Sequence, residues 1–401
     1  MKTSTIAAAG RMNKERVPEL EMLRGIAILG VLMVHSTSKA VVEVPNSILR
    51  GFYIFLNTFS LFCVPAFVFL SGFVLFYNYF ERPLTLFTIR TFYRKRLRQL
   101  VLPYLFVSLG YELVMHALNH RAWQPAGMLR QFGEHLLTGK SYAHLYYILI
   151  TIQLYVLFPL LLLLFRKLRM PVKLAIPFGF AVQWAFYLLN RYYWHLEAKG
   201  DWSFMYFSAF LIGAYLGMRS DAFKNWFMAS GTRRSFMPKL LSLAWVGVTF
   251  GFVWMYDQYR TGAPAPAGYW FEIGYNLFTL LTTLVMLKVC VWLRRHAVVR
   301  LATAALTNLG ALSFGIYLIH PLFLLIYHRH PLASAQPPAY LLWTAGGFLF
   351  ALGASVVVLL LAHRFIYWSW IVLGPAPAKL QSRRARVPSV EVLLTEALDK
   401  G

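Results

Sequence analysis

The chain is written in apolar runs of bilayer length. Segments such as TIQLYVLFPLLLLLF (151–165) and FGFVWMY (250–256) sit in stretches of about twenty apolar residues, the length a helix needs to cross the hydrocarbon core of a membrane. A membrane leaves no water to satisfy peptide groups, so spanning segments close their hydrogen bonds internally as helices or as closed barrels. The short alternating segments of a barrel are absent, and an all-α polytopic membrane protein is expected. With 59% hydrophobic and 13% charged residues, the chain could not remain soluble as an ordinary globular domain.

Ten spans are predicted, at about 22–42, 51–80, 99–118, 145–165, 172–193, 203–218, 240–256, 268–292, 307–327 and 339–369. Pro65 predicts a kink or break in the second, because proline removes a helix hydrogen bond. The sixth is short. The net charge of +24 sits in clusters between the spans and not on one soluble face, so it reads as topology and not as nucleic-acid binding. Of the 39 lysines and arginines, 30 lie in 1–24, 81–98, 166–173, 219–239, 288–300 and 364–401, on one set of alternate connections. That bias predicts both termini in the cytoplasm, with a cytoplasmic tail at 1–21, a membrane domain at 22–369 and a second cytoplasmic tail at 370–401. The first span is expected to act as a signal anchor. Two cysteines in apolar runs, Cys63 and Cys290, imply neither a disulfide framework nor a metal site.

The ionisable residues inside the spans are the candidates for chemistry, since charge at that depth is costly. In LRGIAILGVLMVHS (23–36), Arg24 and His35 stand eleven residues apart, which on a helix leaves them on one face about three turns apart. Glu112 lies within the third span and calls for a partner, with a histidine the natural one. His144 opens the fourth span, and Ser313, Tyr317 and His320 share one face of the ninth. His35, Glu112, His144 and His320 are expected to border one outward-opening cavity, with helix-bridging hydrogen bonds as the plainer role for His320 and Tyr317. Arg90, Arg94, Lys95, Arg96 and Arg98 form the densest basic group. It either anchors the chain to anionic lipid or supplies guanidinium forks for a phosphorylated donor. No Walker or dinucleotide glycine pattern accompanies it.

Arg24, ten residues and His35 together resemble the signature of the acyltransferase family three membrane proteins, which O-acylate carbohydrates and other envelope acceptors. PAFVFLSGF (65–73) resembles the family's Phe-Phe-x-x-Ser-Gly segment, with Val68 in place of the second phenylalanine. YRKRLRQLVLPY (93–104), HLYYILITIQLYVLFP (144–159) and LSFGIYLIHP (312–321) resemble later segments, and the likeness runs from about 17 to 370. HLYYI and QLYVLFP are closest to the branch associated with poly-N-acetylglucosamine adhesin and similar surface polysaccharides. No SGNH-type extracytoplasmic domain is expected within these residues.

The resemblance implies a bacterial plasma-membrane enzyme that takes an acyl group from cytoplasmic acyl-CoA, acetyl-CoA or succinyl-CoA, to a sugar hydroxyl. It requires no metal. A polysaccharide synthase or export component is a candidate partner. On this reading His35 is the general base and Glu112 orients it. Arg24, Arg94 and Arg98 hold the donor, while Ser71, His144, Tyr147 and His320 line the substrate path. Two other classes stay open: a polysaccharide exporter or flippase that moves no acyl group, and a proton-coupled transporter.

Overall fold

In the computed structural model, residues 17–44, 48–119, 125–223, 236–261, 268–330, 332 and 337–377 are described. Most of the two terminal tails and of the GAPAPAG turn lies outside them. The helices are α1 Pro18–Glu43, α2 Ile48–Phe59, α3 Cys63–Tyr79, α4 Leu86–Arg96, α5 Leu102–Leu118, α6 Pro125–Thr138, α7 Tyr146–Arg166, α8 Ala175–Leu189, α9 Phe207–Met218, α10 Phe236–Thr261, α11 Gly268–Arg295, α12 Arg300–Tyr327, α13 Pro337–Phe365 and α14 Ser369–Leu373. No strand occurs among the described residues. The all-α polytopic architecture read from the sequence is therefore the architecture of the protein.

Nine stretches among the described residues are long and apolar enough to cross a bilayer: Pro18–Glu43, Leu49–Tyr79, Leu86–Leu118, Tyr146–Arg166, Val172–Trp194, Leu240–Thr261, Gly268–Arg295, Ala297–Tyr327 and Ala339–Phe365. The tenth expected span is the apolar stretch Ser203–Met218. With a 3₁₀ turn at Ser203–Tyr206 ahead of the 12 residues of α9 it reaches about 26 Å, a little less than a bilayer core of about 30 Å. Instead of facing lipid, α9 is buried along nearly its whole length against α3. Gly72 and Gly213 make that approach possible: a side chain on Gly72 would strike the Phe210 carbonyl, and one on Gly213 the Phe69 carbonyl.

Prolines set the irregularities. The second span breaks into α2 and α3 through a 3₁₀ turn at Ser60–Phe62, just before Pro65. Pro103 cannot donate to the preceding turn, and the helix widens there into a π turn at Leu97–Val101 between α4 and α5. The basic segment is thus a helical extension of the third span and not a loop.

The helix α1 runs through the centre of the bundle. Near its start it crosses α12 at backbone contact: a Cβ on Gly25 would meet the Leu306 carbonyl, and one on Gly310 the Glu21 carbonyl. Glu19 accepts from Arg294 at 2.6 Å, joining the same end to α11. We call this end basal and the end bearing His35 distal. Farther out, Gln183 Nε2 donates to Asn276 Oδ1 at 2.5 Å, its Oε1 accepts from the Ser208 amide at 3.0 Å, and Lys199 pairs with buried Glu272 at 2.9 Å, tying α8, α9 and α11 together.

Candidate active site

Helix α1 carries Arg24, Ile28, Val31 and His35 along one face, and Ile28 and Val31 are buried in the core between the two polar residues. His35 is half-buried, at a cavity of about 360 Å³ whose lining includes Lys39, Tyr142, Pro321 and Arg329. Two further imidazoles stand behind it. The His35 ring lies 5.2 Å from that of His320 and 6.5 Å from that of His144, and those two are 5.6 Å apart, measured between centroids. Both are buried, His320 at 0% and His144 at 1% exposure, so His35 is the member of the trio that meets the cavity.

The state of His320 follows from its neighbour in sequence. Pro321 has no amide hydrogen, which leaves the Tyr317 carbonyl without its helical donor. His320 Nδ1 sits 2.9 Å from that oxygen and 3.0 Å from the Ile316 carbonyl. A carbonyl only accepts, so the hydrogen resides on Nδ1, and Nε2 of the neutral ring is a lone pair. Nε2 is buried and has no partner among the described residues.

His144 is delivered by the turn 139–145. Gly139 starts it at φ 72°, a conformation that suits glycine, and the Cβ of any other residue would press on Tyr146 Cα at 2.8 Å. The His144 carbonyl accepts from the Tyr317 hydroxyl, which pins the turn to α12. The His144 ring is enclosed by Tyr111, Tyr142 and Tyr317 at 5.2, 5.7 and 5.1 Å. Neither of its nitrogens has a hydrogen-bond partner among the described residues. The Leu318 carbonyl it approaches already accepts from the Tyr111 hydroxyl at 3.0 Å.

Glu112 does not join this cluster through His35. Its carboxylate is paired with His135 Nδ1 at 3.0 Å, on α6, a helix within the polar stretch that follows the third span. The expectation that Glu112 has a histidine partner holds, but the partner is one the sequence offered no reason to choose. The same helix accepts a hydrogen bond from the Tyr104 hydroxyl at the Leu136 carbonyl, 2.5 Å away.

Toward the basal end, Tyr147 stands at the start of α7. It packs against Tyr317 at 5.4 Å and against Phe67, one turn before Ser71 on α3, at 5.8 Å. Arg24 itself donates from Nη1 to Glu21 at 2.7 Å. Of the basic group, Arg98 lines a second cavity of about 300 Å³ together with His363, Ser369 and Trp370, whereas Arg94 is exposed on α4. Arg96 is the one turned inward, its guanidinium 4.5 Å above the Tyr155 ring and 5.4 Å from that of Phe92.

The site therefore gathers His35, His144, His320, Tyr147, Ser71 and, one helix length away, Arg24. Lys39, Tyr142, His328 and Arg329 at the mouth were missed in the sequence, although Lys39, one turn after His35, was visible by spacing. No group of three or more potential metal ligands occurs among the described residues.

The acyltransferase domain family matches residues 17–362 of the chain. Three Staphylococcus aureus proteins named "probable poly-beta-1,6-N-acetyl-D-glucosamine export protein", from strains MRSA252, MSSA476 and MW2, are 23%, 22% and 22% identical over 389 residues. Each alignment covers 92% of this chain and 99% of the relative. No solved structure matches the chain significantly.

Proposed function

Since the chain belongs to the acyltransferase domain family and is a multi-pass bacterial membrane protein, we propose that it moves an acyl group, acetyl or succinyl, from cytoplasmic acyl-CoA to a hydroxyl of a surface polysaccharide or its precursor. The observation that carries this reading is a half-buried imidazole at an open cavity, backed by a second imidazole whose tautomer is fixed.

In the proposed reaction His35 accepts the proton of the sugar hydroxyl as its oxygen attacks the thioester carbonyl. The new C–O bond forms, the C–S bond breaks, and the imidazolium returns the proton to the departing thiolate. As His35 becomes charged, the unpartnered His320 Nε2, on a ring 5.2 Å away, would turn to accept from its second N–H and so orient the base and spread its positive charge, as a carboxylate does for histidine elsewhere. Arg24 and Arg98 bind the donor's phosphates from the basal end, which the charge bias assigns to the cytoplasm. Ser71 and Tyr147 lie between these zones, where the thin arm of the donor would pass. Arg94, exposed on α4, is the weakest member of the donor set.

The second reading is favoured by the name of the relatives: an export protein, with the same polar lining conducting a sugar chain. The deciding experiment uses purified protein in proteoliposomes with labelled acetyl-CoA or succinyl-CoA and an oligosaccharide acceptor. Labelled glycan that disappears with His35→Ala, while the protein remains folded, supports acyl transfer. Polymer export by the reconstituted protein with no labelled product in any condition assigns the chain to export.

A further inference from the structure

The mouth of the His35 cavity carries charge that the acyl-transfer reading leaves unexplained. Lys39 stands one turn beyond His35 on α1, about 6 Å farther along the axis, and Arg329 follows the end of α12. Both line the cavity, and no acidic residue does among the described residues. Neither Lys39 nor Arg329 is in an ion pair among the described residues. Glu43, the nearest carboxylate along α1, accepts instead from the Tyr340 hydroxyl at 2.6 Å. Beside them, His328 lies against Trp343 with centroids 5.0 Å apart, and burial, with the Lys39 charge next, pushes its imidazole below the usual range against the opposing pull of the Glu43 carboxylate. The fixed charge of the cavity lining is thus that of Lys39 and Arg329, with the Glu43 carboxylate one turn beyond Lys39 and held by Tyr340.

Topology does not account for them. The alternate-connection bias puts the majority of basic residues at the opposite, basal end, so half-buried Lys39 and exposed Arg329 lining one distal cavity run against the trend. The half-buried Lys39 ammonium makes no ion pair among the described residues, and a ligand anion offsets the cost of its partial burial.

We infer that the acceptor bears an anionic group, a carboxylate or phosphate, close to the hydroxyl that is acylated, and that Lys39 and Arg329 hold it. This rests on the acyl-transfer reading for the words "acceptor" and "acylated", but the binding itself does not depend on it. The relatives' name refers to a polymer of N-acetyl-D-glucosamine, a neutral sugar, so the inference separates this chain from them in substrate. A phospholipid headgroup presents the same phosphate chemistry and is the competing occupant.

The test is equilibrium binding of two probes to the full-length protein in phosphatidylcholine nanodiscs: tetragalacturonate and the N-acetylglucosamine tetramer. The expected result is at least tenfold tighter binding of the acidic probe, a preference that weakens with added salt. The preference is lost in the Lys39→Gln, Arg329→Gln double variant and retained in Lys39→Arg, which keeps the charge and reports on folding. Equal binding of the two probes by the wild type, or a preference that survives the double substitution, overturns the inference. Equal binding in phosphatidylcholine, together with specific retention of phosphatidylglycerol that the double substitution abolishes, also overturns it and assigns the cations to lipid. A preference for the acidic probe in a protein that forms no labelled glycan in the proteoliposome assay leaves the binding inference standing and removes the enzyme reading alone.

Discussion

The imidazoles of His35 and His320 stand 5.2 Å apart with their planes inclined at 55°, and Pro321 frees the backbone carbonyl to which the second one turns its Nδ1. In a regular helix the amide of residue 321 would satisfy the Tyr317 carbonyl. Proline withdraws that donor, the carbonyl captures His320 Nδ1–H, and Nε2 is left as a lone pair.

Pro321→Ala therefore returns an amide hydrogen to the Tyr317 carbonyl and lets it compete with the imidazole. We expect kcat for acyl transfer to fall about tenfold with donor KM unchanged, because a mis-set tautomer weakens general-base catalysis and not binding. Nitrogen NMR of the histidine side chains checks the cause directly, as loss of the Nδ1–H form at His320. An unchanged tautomer would remove proline from the account.

Arg24 is held by Glu21 at 2.7 Å, and in the proposed role it exchanges this carboxylate for a donor phosphate. Arg24→Ala is expected to raise donor KM about tenfold, the loss of one charge-assisted hydrogen bond. Glu21→Gln, by freeing the guanidinium, lowers donor KM. Opposite directions in the two variants, measured with acetyl-CoA in initial-rate kinetics, are the signature; a rise in both points to a structural pair.

Glu112 and His135 form a pair with side chains 14% and 30% exposed. Glu112→Gln should cost about 1 kcal/mol of stability, as loss of a partly solvated hydrogen bond to a carboxylate does, and leave kcat within about twofold of wild type. A loss of a hundredfold or more in kcat would place Glu112 back in the reaction despite its pairing.

At the basal crossing, Gly310→Ala sets a methyl group against the Glu21 backbone carbonyl, which has no flexible end to swing aside. Overpacking of this kind costs about 1–3 kcal/mol, and the displacement of α12 carries His320 with it. Thermal unfolding in detergent and acyl transfer are expected to decline together. Gly247→Ala on α10, where an added Cβ meets nothing within 4 Å, is the matched control and is expected to be neutral or slightly stabilising.

What the sequence revealed and what it hid divide along local and non-local lines. The apolar runs announced the spans because bilayer thickness acts on contiguous residues, and Pro65 announced the break at Ser60–Phe62 for the same reason. His35, His144 and His320 share an apparent depth once topology is assigned, which is why they were legible as a group before they were seen to touch. Arg94, Arg96 and Arg98 read alike as members of one basic group, and what separates them is tertiary: Arg96 lies over the Tyr155 ring, Arg98 lines a cavity with His363, and Arg94 is exposed. His135 and Arg329 come from connections between spans, whose placement no helical period dictates. Residues 203–218 are apolar all round because protein, α3 above all, and not lipid surrounds most of α9.

The crossing of α1 and α12 bears on how this site meets its surroundings. Gly25 and Gly310 let the two backbones touch at the basal end, and the Tyr317 hydroxyl fastens α12 to the His144 carbonyl near the distal one. The helices that carry His35 and His320 are clamped in two places along their length. Bilayers differ in thickness, and proteins commonly adjust by tilting individual helices. Here such tilting would move the clamped pair as one unit, so the spacing of the two imidazoles is insulated from the mechanics of the membrane that holds them.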